Sequence, residues 1–103
     1  MSLHRFIIER DIPKAGSLGR QELKAAAGHS NDVLRKLGPD IQWVESYVAD
    51  DKLFCIYLAT GEDIIRAHAQ ASGFPATRIV RTHRRIDPTT ASEVLQAPFA
   101  KAS

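Results

Sequence analysis

Ile41-Gln42-Trp43-Val44-Glu45-Ser46-Tyr47-Val48, Ala49-Asp50-Asp51-Lys52 and Leu53-Phe54-Cys55-Ile56-Tyr57-Leu58-Ala59 follow one another in the middle of the chain. Two runs rich in β-branched and aromatic residues, joined by a short acidic turn, predict a β-hairpin. Side chains alternate between the faces of a strand. In the first arm Val44, Ser46 and Val48 share one face, and Trp43, Glu45 and Tyr47 the other. In the second arm Phe54, Ile56 and Leu58 oppose Leu53, Cys55, Tyr57 and Ala59. The simplest assignment buries the aliphatic set under the rest of the chain. Trp43, Glu45, Tyr47, Cys55 and Tyr57 then lie on the outer face.

A helix is predicted on each side of this hairpin. Before it, Leu23, Ala26, Ala27, Ser30, Leu34 and Leu37 recur at spacings of three and four, one stripe of a helix from about Arg20 to Leu37. Gly19 suits its N-cap, and Gly38-Pro39 is a stop signal. His29 falls off the stripe and reads as a surface residue. After the hairpin, Thr60 with Asp63 resembles a capping box, and Gly73 followed by Pro75 ends the helix. At about 100° per residue, His68 projects between Ile64 and Ile65 on the inward face.

Further out, Phe6 to Ile12 reads as a first strand, ended by Pro13. Phe6, Ile8 and Arg10 share one of its faces; Ile7, Glu9 and Asp11 share the other. Thr77 to Ile86 reads as a last strand, and its four arginines suit a sheet edge, where charge blocks unwanted pairing. Thr89 to Gln96 suits a short helical turn, and Ala97 to Ser103 a loose tail. Strand, helix, strand, strand, helix, strand is the ferredoxin-like α+β order. Right-handed crossovers put both helices on one face of a four-stranded antiparallel sheet. The expected architecture is one domain over residues 1–103, with a core at about 4–87, of the dimeric α+β barrel type. Its other face is left open, and exposed apolar patches of that size usually meet a partner. The expected partner is a second copy, in a two-fold homodimer.

Composition narrows the function classes. The 103 residues carry 14 basic and 12 acidic side chains, a net charge of +2, too balanced to argue for nucleic acid or an anionic membrane. Arg78, Arg81, Arg84 and Arg85 have no RNA-binding aromatic signature beside them and read as a solvated edge. The single cysteine, Cys55, allows no intrachain disulfide, which suits a reducing compartment. No apolar run approaches the roughly 18 residues of a membrane helix, and the first residues lack the pattern of a signal peptide. A cytoplasmic protein with no nucleic-acid or membrane partner is expected. There is no paired-cysteine zinc motif, Gly-rich phosphate loop or nucleophile elbow.

The remaining candidates for chemistry are few. His68 suits three roles: a core histidine bonded to a carbonyl or carboxylate, a metal ligand, or an acid or base in a pocket under the sheet. Cys55 reads as a buried small hydrophobe, or alternatively as a soft ligand or redox thiol. Glu9 and Glu45, with Tyr47 and Tyr57, could supply oxygen ligands or line a small-molecule pocket. His4 and His83 could join in a terminal site.

Phe6-Ile7-Ile8-Glu9-Arg10-Asp11, Glu45-Ser46-Tyr47-Val48, Phe54-Cys55-Ile56-Tyr57, Ile64 to Ala69, Gly73-Phe74-Pro75 and Thr77-Arg78-Ile79 stand in order along the chain. This pattern resembles a family of small bacterial ferredoxin-like proteins, long classed as a domain of unknown function, that includes a nickel-binding member. The resemblance implies a homodimer with facing sheets and binding of nickel or a similar divalent metal. It singles out Glu9, Tyr47, Cys55, Tyr57 and His68 as matching positions. Leu58-Ala59-Thr60 stands where the family pattern is more acidic, and His83-Arg84-Arg85 is more basic than that pattern.

Three functions follow as expectations. One is a homodimer that binds a divalent metal through His68, Glu9, Cys55 and Tyr57, with Tyr47, Glu45 and Trp43 as further site candidates. Another is a cofactor-independent enzyme of the monooxygenase or isomerase type, acting on a small aromatic or lactone-like substrate. The last is a non-catalytic interaction module using the open face. A pocket walled by His68 favours the enzyme; a His68 with both nitrogens buried favours a structural role.

Overall fold

A computed structural model describes residues 2–95. Strand β1 spans His4–Asp11, helix α1 Arg20–Leu37, strand β2 Ile41–Val48, strand β3 Lys52–Ala59, helix α2 Glu62–Ser72 and strand β4 Arg78–Arg81. Short 3-10 helices lie at Ala15–Ser17 and Pro88–Ser92. The four strands form one sheet in the order β2-β3-β1-β4, every neighbouring pair antiparallel. Both helices cover one face. This is the expected ferredoxin-like α+β fold, with β4 at an edge. None of the described helices is long and apolar enough to cross a membrane. The expected tail and Gln96 lie outside the described residues.

The covered face is the reverse of the one expected for the hairpin. Strand β1 buries Phe6, Ile8 and Arg10. Register then decides the rest: Phe6 pairs with Tyr57 and Ile8 with Cys55. Directly paired residues point the same way, so Cys55, Tyr57 and Ala59 lie under the helices, all buried. Phe54, Ile56 and Leu58 therefore lie on the open face. In β2 a bulge between Trp43 and Glu45 inserts one residue, which resets the alternation. Trp43 pairs with Tyr57 and packs on the core, whereas Glu45 pairs with Ile56 and Tyr47 with Phe54 on the open face. Trp43 Nε1 donates to Ser46 Oγ at 2.9 Å across the bulge. Glu45 and Tyr47 are on the outer face as expected; Trp43, Cys55 and Tyr57 are not.

The core joins Phe6, Ile8, Ile41, Cys55, Tyr57, Ala59 and Ile65, with Leu34, Leu37 and Ile64 packed against it. Helix α1 buries Ser30 and Val33 most deeply; its N-terminus is closed by Gly19 N–H donating to Glu22 Oε1 at 2.9 Å. Helix α2 starts one residue later than its capping signal suggests. Gly61, extended and without a side-chain cap, is its N-cap. Thr60 is held elsewhere: its N–H donates to the Asp40 carbonyl at 3.0 Å, prolonging the β2–β3 pairing. The last strand is also shorter than its β-branched run. Only Arg78–Arg81 pair with β1, and the chain leaves the sheet after Thr82 N–H reaches the Arg5 carbonyl. Gly16 lets the segment after β1 dock on the hairpin turn: its N–H donates to the Asp50 carbonyl at 2.9 Å. A Cβ there would lie 3.0 Å from both Ala49 O and Asp50 Cα.

Candidate functional site

Beneath the covered face, β1, β3 and both helices bring Arg10, Tyr57, Ser30 and His68 into one buried polar cluster. Arg10 is 2% exposed, and burying a guanidinium requires its donors to be occupied. Nη1 donates to the carbonyls of Phe74 and Pro75, at 3.2 and 3.1 Å. Nη2 donates to the Tyr57 hydroxyl at 3.4 Å. The supply of carbonyls follows from the stop of α2. Gly73 takes the left-handed conformation at φ 82°, which glycine adopts without steric cost, and the turned chain presents the Phe74 and Pro75 carbonyls to Arg10. His29 braces the same corner, its Nε2–H donating to the Ser72 carbonyl at 2.9 Å and its ring edge-on to Phe74.

His68 is fully buried, on the inward face that its spacing predicts. Its Nε2 and Ser30 Oγ lie 3.1 Å apart in a hydrogen bond whose polarity follows the imidazole tautomer. Its ring is 5.5 Å from that of Tyr57. Nδ1 is buried without a protein partner. Burial, and next the positive charge of Arg10, lower the His68 pKa to about 4, so the imidazole is neutral at pH 7. Burial likewise pushes the Tyr57 hydroxyl above its ordinary value, against the opposing pull of Arg10. Tyr57 is therefore a neutral phenol, able to accept from Arg10 and to donate.

The structure brings His68, Tyr57 and Cys55 to one face and separates them from Glu9. Glu9 lies on the open face, with Lys52 Nζ at 3.0 Å and Arg78 Nη1 at 3.8 Å. Asp11 shares Lys52 at 3.6 Å. Glu45 also lies on the open face, where its Oε2 accepts from the Tyr47 hydroxyl at 2.5 Å. That bond and the carboxylate's charge raise the Tyr47 pKa. The four residues first expected around a metal thus divide between two sides of the sheet.

The covered cluster does not fit a divalent cation. Its permanent charge is the Arg10 guanidinium, which repels a metal ion at His68 Nδ1 as it repels a proton. No group of three or more His, Cys, Asp or Glu able to hold a metal exists among the described residues. Neither of the two pockets described is lined by His68. The arrangement is that of a structural hydrogen-bond cluster tying α1, α2, β1 and β3 together.

Arg10 and Ser30 complete this cluster but were not singled out by sequence. The signal for Arg10 was present: alternation places it with Phe6 and Ile8 on one face. Nothing in the sequence marks it as hydrogen-bonded to residues 74 and 75, which are more than sixty positions away.

Comparison with known proteins adds the family. No functionally curated protein matches the chain. It is similar to the crystal structure of SCO4226 from Streptomyces coelicolor A3(2), with a TM-score of 0.68 at 11% identity, covering 80% of this chain and 99% of that one. At that identity the likeness is one of fold. Residues 6–81, from the first core residue of β1 to the end of β4, match the family described as nickel responsive protein SCO4226-like, and the chain belongs to that family.

Proposed function

We propose that the protein is a non-catalytic homodimer that pairs its open sheet faces and takes a divalent transition metal, nickel by the family's description, where those faces meet. The observation that carries this is the composition of the open face. Ile7 pairs with Ile56 on one side and Val80 on the other, and Phe54 and Leu58 flank them in β3. Tyr47 is 57% exposed and Val80 38% exposed beside them. The chain's own helices leave this apolar centre uncovered. Around it stand both signs of charge: Glu9, Glu45 and Asp11, with Arg5, Lys52 and Arg78. A two-fold axis through the face sets one copy's acids against the other's bases, and such self-complementarity is what an isologous interface requires.

The same symmetry supports the metal. Glu45 has no cationic partner among the described residues, and its nearest polar neighbour is the Tyr47 hydroxyl. One protomer offers too few donors, but two-fold pairing doubles them to two carboxylates and two phenols. Oxygen-rich sets of that kind accept divalent ions, although they do not select nickel strongly over its neighbours. The bound ion would bridge the two protomers and add its binding energy to the dimer.

Sedimentation and calorimetric nickel titration on chelator-treated protein test this together. Wild type is expected to be dimeric and to bind nickel. Ile56→Asp is expected to be a folded monomer with nickel affinity lost. Glu45→Gln is expected to remain dimeric, with weakened nickel binding. A wild type that stays monomeric at every concentration overturns the interface. Nickel binding untouched by both substitutions but abolished by His68→Gln moves the metal to the covered face.

A further inference from the structure

At the end of the sheet away from the hairpin turn, the start of β1, the end of β4 and the loop that follows border an open concavity of about 230 Å³. His4, Arg5, Arg81, His83, Arg84 and Arg85 contribute to its walls, and no carboxylate does. Four of the chain's fourteen Lys and Arg residues are thus gathered at one small concavity in a protein of nearly balanced charge. Of the four, only Arg85 has an acidic partner among the described residues, Asp87 at 2.8 Å. A guanidinium has five donors, so most of the donors around this pocket have no protein acceptor.

We propose that this pocket binds a small phosphate-class oxyanion, either free inorganic phosphate or pyrophosphate, or the terminal phosphate of a small phosphorylated molecule. Three observations support the assignment. The first is preorganisation. Thr82 anchors the end of β4 to β1 through its N–H and its hydroxyl, both donating to the Arg5 carbonyl, at 2.9 and 3.1 Å. Arg81 is oriented by Nη2 donating to His4 Nδ1 at 3.0 Å, which leaves the His4 proton on Nε2 as a further donor. The second is charge and shape. Forked guanidinium donors match phosphate oxygens two at a time, and donors arriving from two strands and the following loop suit a tetrahedral anion better than a planar carboxylate. The third is size: the volume is below the roughly 300–1,000 Å³ usual for drug-sized ligands.

Two histidines at one concavity also suit a metal, but the setting opposes it. His4 Nδ1 already accepts from Arg81, and a divalent cation beside four arginines would be repelled. The pocket shares Arg5 with the rim of the open face proposed above as the dimer surface, whereas the proposed metal donors Glu45 and Tyr47 do not line it.

Calorimetry and thermal-shift measurements on the full chain, with sodium phosphate and pyrophosphate at near-physiological salt, test the proposal. Expected are saturable one-to-one binding, tighter for pyrophosphate, and a rise in melting temperature. Arg84→Gln and Arg81→Gln are expected to weaken binding about tenfold or more each, with unfolding in the absence of anion unchanged. Adenosine triphosphate binding as tightly as pyrophosphate would identify the terminal phosphates of a larger molecule as the source, within the same proposal. No saturable binding of phosphate or pyrophosphate overturns it. So does binding that citrate matches and that survives both substitutions, since that is general attraction to a cationic surface. Tight binding of a short single-stranded oligonucleotide with no binding of pyrophosphate also overturns it, in favour of nucleic acid.

Discussion

The two faces of the sheet differ in a way opposite to simple expectation. The covered face holds an arginine, a tyrosine and a cysteine of the sheet, with a histidine and a serine from the helices above it. The open face holds Ile7, Phe54, Ile56, Leu58 and Val80. Both are apolar enough to be buried, so hydrophobicity does not choose between them. Hydrogen bonding does. Arg10, Tyr57 and His68 can go under the helices because Ser30 and the carbonyls of Phe74 and Pro75 meet them there. The aliphatic face makes no such demand and remains free for a partner. Polar groups buried with specific partners specify one arrangement, whereas an aliphatic face packs against many.

If that contrast holds, the largest loss comes from the covered face. Arg10→Ala leaves two carbonyls and the Tyr57 hydroxyl without their donor, and is expected to cost about 3–5 kcal/mol, since each buried polar group left unpaired costs about 1–3 kcal/mol. Urea unfolding measures it; a cost below about 1 kcal/mol, within the range of surface substitutions and a little beyond, would mean that the cluster is not what holds the helices. Neighbouring isoleucines of β1 give the next comparison. Ile8→Ala, at a fully buried position, is expected to cost about 2–5 kcal/mol. Ile7→Ala, one residue along and on the open face, should cost well under half of that in dilute protein. Its cost should grow with protein concentration, because dimerisation couples to folding by mass action. Equal, concentration-independent costs would erase the distinction between the faces.

The last expected effect is a pH dependence of the covered face. The His68 pKa is lowered to about 4 in the fold against about 6.5 in the unfolded chain. The unfolded state therefore binds more protons between these values, and stability rises with pH across that window. The contribution is complete above about pH 6.5 and is lost as pH falls toward 4, by about 2–3 kcal/mol. Denaturant titrations at pH 7 and pH 4.5 should show this loss in wild type, and a smaller one in His68→Gln. An identical loss in both would assign the acid sensitivity to other groups.

The legibility of the sequence varied with how local each decision was. Gly73 and the isoleucine spacing of α2 put a stop and an inward His68 where they are found, because both depend on a few adjacent residues. The arginines of β4 marked an edge for the same reason. The face of Cys55 and Tyr57 is not legible locally, because it depends on the register with β1. The face of Trp43 is hidden as well, because a single-residue bulge leaves no clear mark in a run of mixed side chains. Thr60 has the chemistry of a cap, but its N–H is committed to Asp40, a partner that sequence reasoning did not supply. The strand after Thr77 is shorter than its sequence suggests, because its β-branched run continues past the end of its pairing with β1.

The terminal pocket shows the same division. His4 and His83, candidates for a terminal site, both line it, and the arginines around them favour an anion over a cation there. Element order, helix stops, edge position and the inward histidine were settled by the amino-acid sequence, since spacing, capping and backbone restrictions act over a few residues. Which face of the sheet is covered, which cation is buried and which side chains meet were decided only in the tertiary structure. Those outcomes depend on strand register and on hydrogen bonds between groups far apart in the chain, where no local preference operates.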